Sequence, residues 1–468
     1  MIFVWHRADL RTHDHPALEL AQGLCSSLGS GLGSGANAPA LRVVPVFVLD
    51  PSLLEMPYSG RSRIAFLQAN LRALAGNYRT LNSTLVVLYG SPEVELLRFA
   101  RQHGATQIHA LESLEPVGVR RDARVGAVLA QNGVKLILSR SDTIQAPGSV
   151  LSGSGGPYRV FTPFYRTWTN LGPAPLTASV TRLEPHGLPS MPIPEPNASV
   201  PLPEAGQDAA LAMLEKFVRE AGTHYESRRD LPAVAGTSRL SPYFHLGILS
   251  ARTAAHAARA HTGWVRELAW RDFYRHILFE NPQLEIQAFK PEWNDFPWRD
   301  APTDLQAWTE GQTGYPIVDA GMRQLATTGW MHNRLRMIVA SFLTKHLLID
   351  WHEGERLFND RLIDGDQASN NGGWQWATGC GVDAAPYFRV FNPVTQGEKF
   401  DPNAEYIKRF VPELEHLEPK LAHQPWTASR QPAGYPRPIV ELKFGRDRFL
   451  ETAKRHLKGG DDQATLEF

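Results

Sequence analysis

The sequence predicts an α/β N-terminal domain built on a doubly wound parallel sheet, followed by a mostly α-helical C-terminal domain. Three observations carry that reading. Short apolar runs alternate with amphipathic stretches through the first third of the chain. Beyond Asp208 strand signals become few and helical patterns follow one another. The length, 468 residues, is too great for a single hydrophobic core.

The apolar runs fall at residues 2–5, 43–49, 85–88, 108–111 and 134–138, and read as buried strands. Amphipathic stretches at 61–74 and 92–101 supply helices between them. The opening MIFVWHRADLR suits a first strand, because a signal peptide needs a basic start and a longer apolar stretch. GSGLGSG at 29–35 invites a nucleotide-loop reading. It follows a helical stretch and precedes the second strand, however, whereas a dinucleotide loop runs strand, glycines, helix. It is therefore read as a flexible surface insertion.

Residues 139–205 are rich in Gly, Pro and Ser and read as an interdomain linker over the surface. Within them YRVFTPFYRTW, residues 158–168, is too aromatic for an idle linker and is expected to dock on a domain. Helices are expected at 209–220, 250–260, 264–280, 317–327, 332–348 and 351–357. The partition is thus 1–138, 139–205 and 206–468. Ten of the twelve tryptophans lie beyond residue 260, a concentration of indole rings in the helical part.

Composition narrows the function classes. With 43% hydrophobic and 21% charged residues the chain is neither a disordered tail nor a membrane protein, and no apolar run approaches the ~18 residues of a span. Cys25 and Cys380 are too few for a four-thiolate metal site or a disulfide framework, and point to a reducing, cytoplasmic setting. Net charge is +0, so any nucleic-acid binding requires basic residues segregated onto one face.

Four segments could carry chemistry. In WVRELAWRDFYRH (264–276) a helix places Glu267, Trp270, Arg271 and Tyr274 on one face. Either the indole packs inward while the charges pair in solvent, or the face is a pocket wall with an aromatic platform, an acid and a phosphate-binding cation. In WMHNRLRM (330–337) Asn333 and Met337 share a face from which Arg334 and Arg336 diverge, an arrangement equally suited to phosphate contacts or to an ordinary amphipathic helix.

In LIDGDQASNNGGWQWATGCGVDAAPYFRVFNP (362–393) Asp364 and Asp366 flank Gly365, then Asn370 and Asn371 precede two glycines, Trp374 and Trp376. The DxD spacing lacks a third metal ligand, so no metal is expected. Clustered Asn, Gly and Trp instead suit close backbone approach to a flat, polar-edged ligand, and with Arg389 and Lys399 they suit flipped-base recognition. In GTSRLSPYFHLGILS (236–250) Thr237, Ser238 and Ser241 serve as a helix N-cap, with Ser241 before Pro242, or hold a phosphate with the same groups.

Together these segments resemble the photolyase/cryptochrome family, specifically its class I cyclobutane pyrimidine dimer photolyases. The resemblance runs from MIFVWHRADLRTHDHPAL to FNPVTQGEKFDP and the PxPIVE segment near 440, and is densest from 225 to 402. It implies an N-terminal antenna domain and a helical domain that holds FAD and binds UV-damaged DNA. It further implies light-driven repair, in which excited reduced FAD passes an electron to a flipped-out dimer, the cyclobutane ring opens and the electron returns.

By that resemblance Tyr225 and the loop Thr237, Ser238, Arg239, Leu240 and Ser241 contact the FAD phosphates. Asp364, Gly365 and Asp366 contact its ring and ribose, Arg336 pairs with Asp364, and Asn370 faces the central ring nitrogen. Glu267, Trp270, Arg271 and Tyr274 join Asn333, Arg334, Met337 and Trp376 at the lesion, with Glu267 kept protonated by its indole surroundings. Trp374, Trp351 and Trp298 match the tryptophan chain that photoreduces the flavin. Arg229, Arg334, Arg389 and Lys399 are the candidate phosphate contacts.

The antenna region departs from the pattern, with Ala110 and Leu111 where family members commonly carry a polar residue. A second chromophore, whether folate, deazaflavin or flavin, is therefore left open. A six-four photoproduct enzyme would carry a histidine pair where Asn333 and Met337 stand, which favours cyclobutane dimers. The cysteine count speaks against an iron–sulfur relative. The alternative is a cryptochrome-type blue-light sensor without repair activity. Such proteins often carry a long C-terminal tail, whereas this chain ends soon after its last helical segment. A monomer that binds no membrane is expected.

Overall fold

The computed structural model describes residues 1–31, 42–54 and 60–457. Strands β1 (Ile2–His6), β2 (Val43–Leu49), β3 (Val86–Tyr89), β4 (Gln107–Leu111) and β5 (Lys135–Ser139) each lie within one residue of the apolar run that predicted them. They pair in parallel in the order β3-β2-β1-β4-β5, so the doubly wound sheet is present. β1 and β2 are buried throughout, as strands covered on both faces must be. Edge strand β5 exposes Lys135 and Leu138. Helices α1 (Pro16–Gly31), α2 (Arg61–Thr80), α3 (Pro92–His103) and α4 (Pro116–Ala130) make the connections. Proline opens both α3 and α4, where a missing N–H costs nothing. The glycine-rich segment 29–35 begins in the last turn of α1, and the rest of it lies outside the described residues.

Packing divides the chain into two compact units, one of residues 1–223 with 238–282, the other of 224–237 with the chain from 283 onward. The predicted boundaries at 138 and 205 both fall inside the first unit. Its sheet core contains Phe3, Val44, Val46, Val86, Phe99 and Ile108. The aromatic linker segment does dock. Helix α5 (Phe161–Leu171) lies on α6 (Thr262–Glu280), and Trp168 Nε1 donates to Asp272 at 2.9 Å. The same buried carboxylate accepts the backbone N–H groups of Ile144 and Gln145 at 3.0 and 2.9 Å. A second buried hub joins Arg252 to Asp14 at 3.0 Å and Arg11 to Asp142 at 3.1 Å, while Arg11 also donates to the carbonyl of Gly247 at 2.7 Å. Gly247, at φ 58°, lies so close to the carbonyl of Ala8 that no side chain fits there.

The second unit is helical. Helices α7 (Pro316–Thr328), α8 (Asn333–Ser341), α9 (Trp351–Arg361), α10 (Gln367–Thr378) and α11 (Leu442–Leu457) belong to it. Trp308, Phe342, Trp351, Phe358, Trp374 and Tyr406 lie in its core. Where a helix over 332–348 is predicted, α8 gives way to a π turn, Phe342–His346, in which Leu347 N bonds Phe342 O at 3.0 Å. Among the described residues no helix is long and apolar enough to cross a membrane.

Candidate functional site

In the second unit, α8 buries Leu335, Ile338 and Val339 and leaves Asn333 exposed, with Arg334, Arg336 and Met337 half-buried. Asn333 Nδ2 lies 4.0 Å from Met337 Sδ, so the two share a face. Arg336 turns the other way. Its Nη2 contacts both carboxylate oxygens of Asp364, at 3.0 and 2.8 Å, and its Nε donates to Met331 O at 2.9 Å. Asp366 caps α10 by accepting from Ser369 N at 2.9 Å. Both acids of the DxD segment therefore have structural partners, one an arginine and the other a helix end.

Asn370, in the first turn of α10, donates through Nδ2 to Glu355 O at 3.1 Å and to Asn359 Oδ1 at 2.9 Å. Its amide oxygen is the atom left for a ligand. Asn371 Nδ2 donates to Leu284 O at 2.9 Å and to Glu355 Oε1 at 3.1 Å. Burial pushes the Glu355 carboxyl up to about 7, against the opposing pull of Asn371. Gly373 is exposed, and a side chain there would touch nothing.

The tryptophans of this unit run from buried to half-buried. Trp374 is buried against Phe358 and Trp308, with ring centroids 5.0 and 6.1 Å away. Trp351 is fully buried and stacks on His352 at 3.7 Å. Trp298 and Trp376 are half-buried, and Trp298 meets Phe296 at 4.4 Å. Three of the candidate cations cluster on aromatic rings. Arg334 and Lys399 flank the ring of Phe400 at 4.3 and 5.1 Å, Arg334 pairs with Asp230 at 2.8 Å, and Arg229 covers the ring of Tyr225 at 5.2 Å. Arg389 is exposed on the loop that follows α10.

In the first unit, Trp270 is half-buried and stacks face to face on Phe161, with centroids 3.6 Å apart and planes 8° apart. Tyr274 lies 5.5 Å away, so Trp270 and Tyr274 do share a stripe, on which Glu267 is also half-buried. Arg271 is drawn off it, donating to Asp142 O at 2.8 Å and pairing with Asp142 Oδ2 at 3.2 Å. One cation is thus spent inside the unit, while the indole forms a platform backed by Phe161. Ser238 Oγ accepts from Trp264 Nε1 at 3.2 Å, and Arg239 has a left-handed backbone with φ 53°. The N-cap of the short helix Ser241–His245 is Leu240, and the predicted cap, Ser241, is its first helical residue. Thr237, Gly365 and Tyr225 belong to the second unit, so within neither unit is the whole predicted set assembled.

At the carboxyl end of β1, Trp5 lies between Arg7 and Arg121, at 4.6 and 5.1 Å, and Arg7 pairs with Asp122 at 2.6 Å. Ala110 and Leu111 are buried at the end of β4. His6, Asp9 and His15 form a buried group whose ligand-type atoms lie within 4.8 Å of one another. Their bonds form a closed network. His15 Nε2 bonds Asp9 Oδ2 at 2.9 Å, Leu18 N donates to His15 Nδ1, and His6 bonds Asp9 O and the Tyr78 hydroxyl. A ring that accepts at Nδ1 must carry its proton at Nε2, which leaves no lone pair there for a cation.

Sequence reasoning missed Phe161, Glu355 and the π turn. The aromatic density of 158–168 signals the first, whereas nothing local marks a carboxylate that becomes unusual only when its helix is buried.

Comparison with known proteins gives two family matches, one along each part of the chain. Residues 2–181 match the family described as DNA photolyase, and residues 264–455 match the FAD binding domain of DNA photolyase. Relatives named deoxyribodipyrimidine photo-lyase include one from Synechococcus, 38% identical over 96% of this chain and 95% of its own length. Another, from Halobacterium salinarum, is 40% identical over 97% of this chain and 99% of its own length. Among solved structures, a class III photolyase from Agrobacterium tumefaciens superposes with TM-score 0.86 at 35% identity, covering 98% of each chain. An archaeal photolyase from Sulfolobus tokodaii with two FAD molecules gives TM-score 0.86 at 32% identity, covering 97% of this chain and 100% of its own. A cryptochrome from Synechocystis gives 0.86 at 28% identity, covering 97% and 99%.

Proposed function

The chain belongs to the DNA photolyase family and takes FAD as its cofactor, and from that premise we propose that it repairs cyclobutane pyrimidine dimers in UV-damaged DNA under blue light. The observation that carries this reading is the residue types offered by two helices, one in each unit. α6 offers an indole backed by Phe161, a flat apolar platform, and α8 offers Asn333 and Met337 rather than histidines.

The polar groups fit FAD. The oriented amide oxygen of Asn370 would accept from the ring, Asp364 is held by Arg336, and the face beside Gly373 is open. When bound and reduced, FAD supplies the light-driven electron. The residues of the chain do the rest. Trp270 and Trp376 stack on the extruded dimer, whose poor pairing lowers the cost of flipping it. Glu267 donates a hydrogen bond to the dimer as it gains negative charge. Trp374, Trp351 and Trp298 carry electrons inward from the surface, and Arg229, Arg334, Arg389 and Lys399 hold phosphates. Residues 1–138 serve as the antenna domain, 139–205 as the linker and 206–468 as the flavin- and DNA-binding part.

The test uses purified protein with reduced flavin and a thymine-dimer oligonucleotide, under blue light and in darkness. Light-dependent restoration of intact thymines is expected, with its loss in Trp270→Ala. Bound flavin with no repair of double- or single-stranded substrate would transfer the chain to the light-sensor class.

A further inference from the structure

The loop that carries Arg389 has little backbone bonding of its own, chiefly Arg389 N to Pro386 O at 2.9 Å and Val390 N to Phe388 O at 3.1 Å. It is gripped from outside by the end of α8. Lys345 Nζ donates to Arg389 O at 3.0 Å, His346 Nε2 bonds Phe391 O at 2.9 Å, and Ser341 Oγ accepts from Phe391 N at 3.4 Å. Two of the three grips come from the π turn that ends α8.

Lys345 is the unusual member. Its residue surface is 1% exposed, and among the described residues no carboxylate pairs with it. Lysine is rarely buried without a partner, because removing its charge from water is expensive. Burial pushes it down to about 7; the nearby Cys380 thiol opposes this, and the Arg389 guanidinium and Lys290 ammonium add to it.

We propose that the π turn Phe342–His346 is a clamp that positions the Arg389 loop for DNA, with Lys345 as its positioning residue. The proposal rests on the reading of Arg389 as a phosphate contact. Without the clamp, the loop must be ordered by the DNA itself, and that cost weakens binding.

The test measures affinity for a duplex bearing a thymine dimer, in darkness, across a range of salt, with flavin content and melting temperature recorded for each variant. Lys345→Met keeps the length of the side chain and removes the donor. It should weaken binding about 3- to 10-fold and flatten the salt slope toward that of Arg389→Ala, which loses roughly 0.9 per phosphate contact. In the Arg389→Ala background, Lys345→Met should cost nothing further. Ser341→Ala, a milder release of the same loop, should show the same pattern at about 2- to 3-fold if Lys345→Met does not fold. An unchanged slope in the clamp variants, or a full additive loss in the double variant, overturns the clamp. An unchanged affinity in Arg389→Ala alone overturns the DNA-contact reading, and the clamp with it.

Discussion

His15 shows how a single buried ring ties stability to pH. Burial drives its imidazole down from 6.5 to about 4, although Asp9 lies 2.9 Å away and pulls the other way. The downward direction agrees with the geometry, because Leu18 N donates to Nδ1 and so holds the neutral ring. In the unfolded chain the same ring takes its proton near 6.5. Between 6.5 and about 4 the unfolded state therefore binds more protons, and acidification favours unfolding. Stability should be level above about 6.5 and fall below it, by about 3 kcal/mol from this site once pH reaches the folded value. Asp9 does not share this window. Burial raises it, but the bonds from His15 and His6 win and hold it well below the usual carboxylate range, so its loss comes at lower pH. Urea unfolding at pH 7.5 and pH 5 checks the point. The wild-type midpoint should drop, and the drop should shrink in His15→Gln; an equal drop in both proteins would falsify the assignment. None of this was legible in the sequence, where His6, Asp9 and His15 are simply near neighbours. The sheet gives them meaning by burying all three.

At the scale of elements, what the sequence revealed depended on whether the signal was local. The five strands are continuous apolar runs and were placed within a residue. Helix α10 was not assigned, because Asn370, Asn371, Gly372 and Gly373 are poor helix formers; the cap from Asp366 and the packing of Trp374 override that propensity. The π turn ends its helix within one widened turn, below what periodicity can resolve. The packing of α9 on α10 makes a prediction of its own. A side chain at Gly354 would run into the six-membered ring of Trp374, so α9 approaches α10 closely only because that position is glycine. Gly354→Ala should destabilise the protein by about 1–3 kcal/mol through overpacking, and the strain falls on the tryptophan proposed to reduce the flavin. Light-driven reduction of oxidised flavin should slow, while dark binding of damaged DNA should stay unchanged. Unaltered melting and photoreduction would mean that the contact relaxes without cost.

For the molecule as a whole, the difficulty is DNA binding by a chain of net charge +0. Local segregation resolves it only if the candidate cations stand apart from their balancing acids, and the structure divides them. Arg271, expected at the lesion, is spent on Asp142 inside the first unit, a partner 129 residues away that sequence reasoning could not supply. Arg334 is half committed, since it must release or share Asp230 to reach a phosphate. Lys399 rests on the ring of Phe400 and Arg229 on that of Tyr225, and Arg389 is exposed on its clamped loop. If all four cations engage phosphates, the logarithm of the binding constant should fall with the logarithm of salt concentration at a slope of about −3 to −4. Arg334→Ala should flatten that slope by less than Lys399→Ala does, because part of its charge is already answered by Asp230. Fluorescence anisotropy on a dimer-containing duplex between low and moderate salt reads both quantities directly. A slope shallower than about −1 would mean that affinity comes from the stacked dimer and not from these cations, and the neutral net charge would then need no local segregation at all.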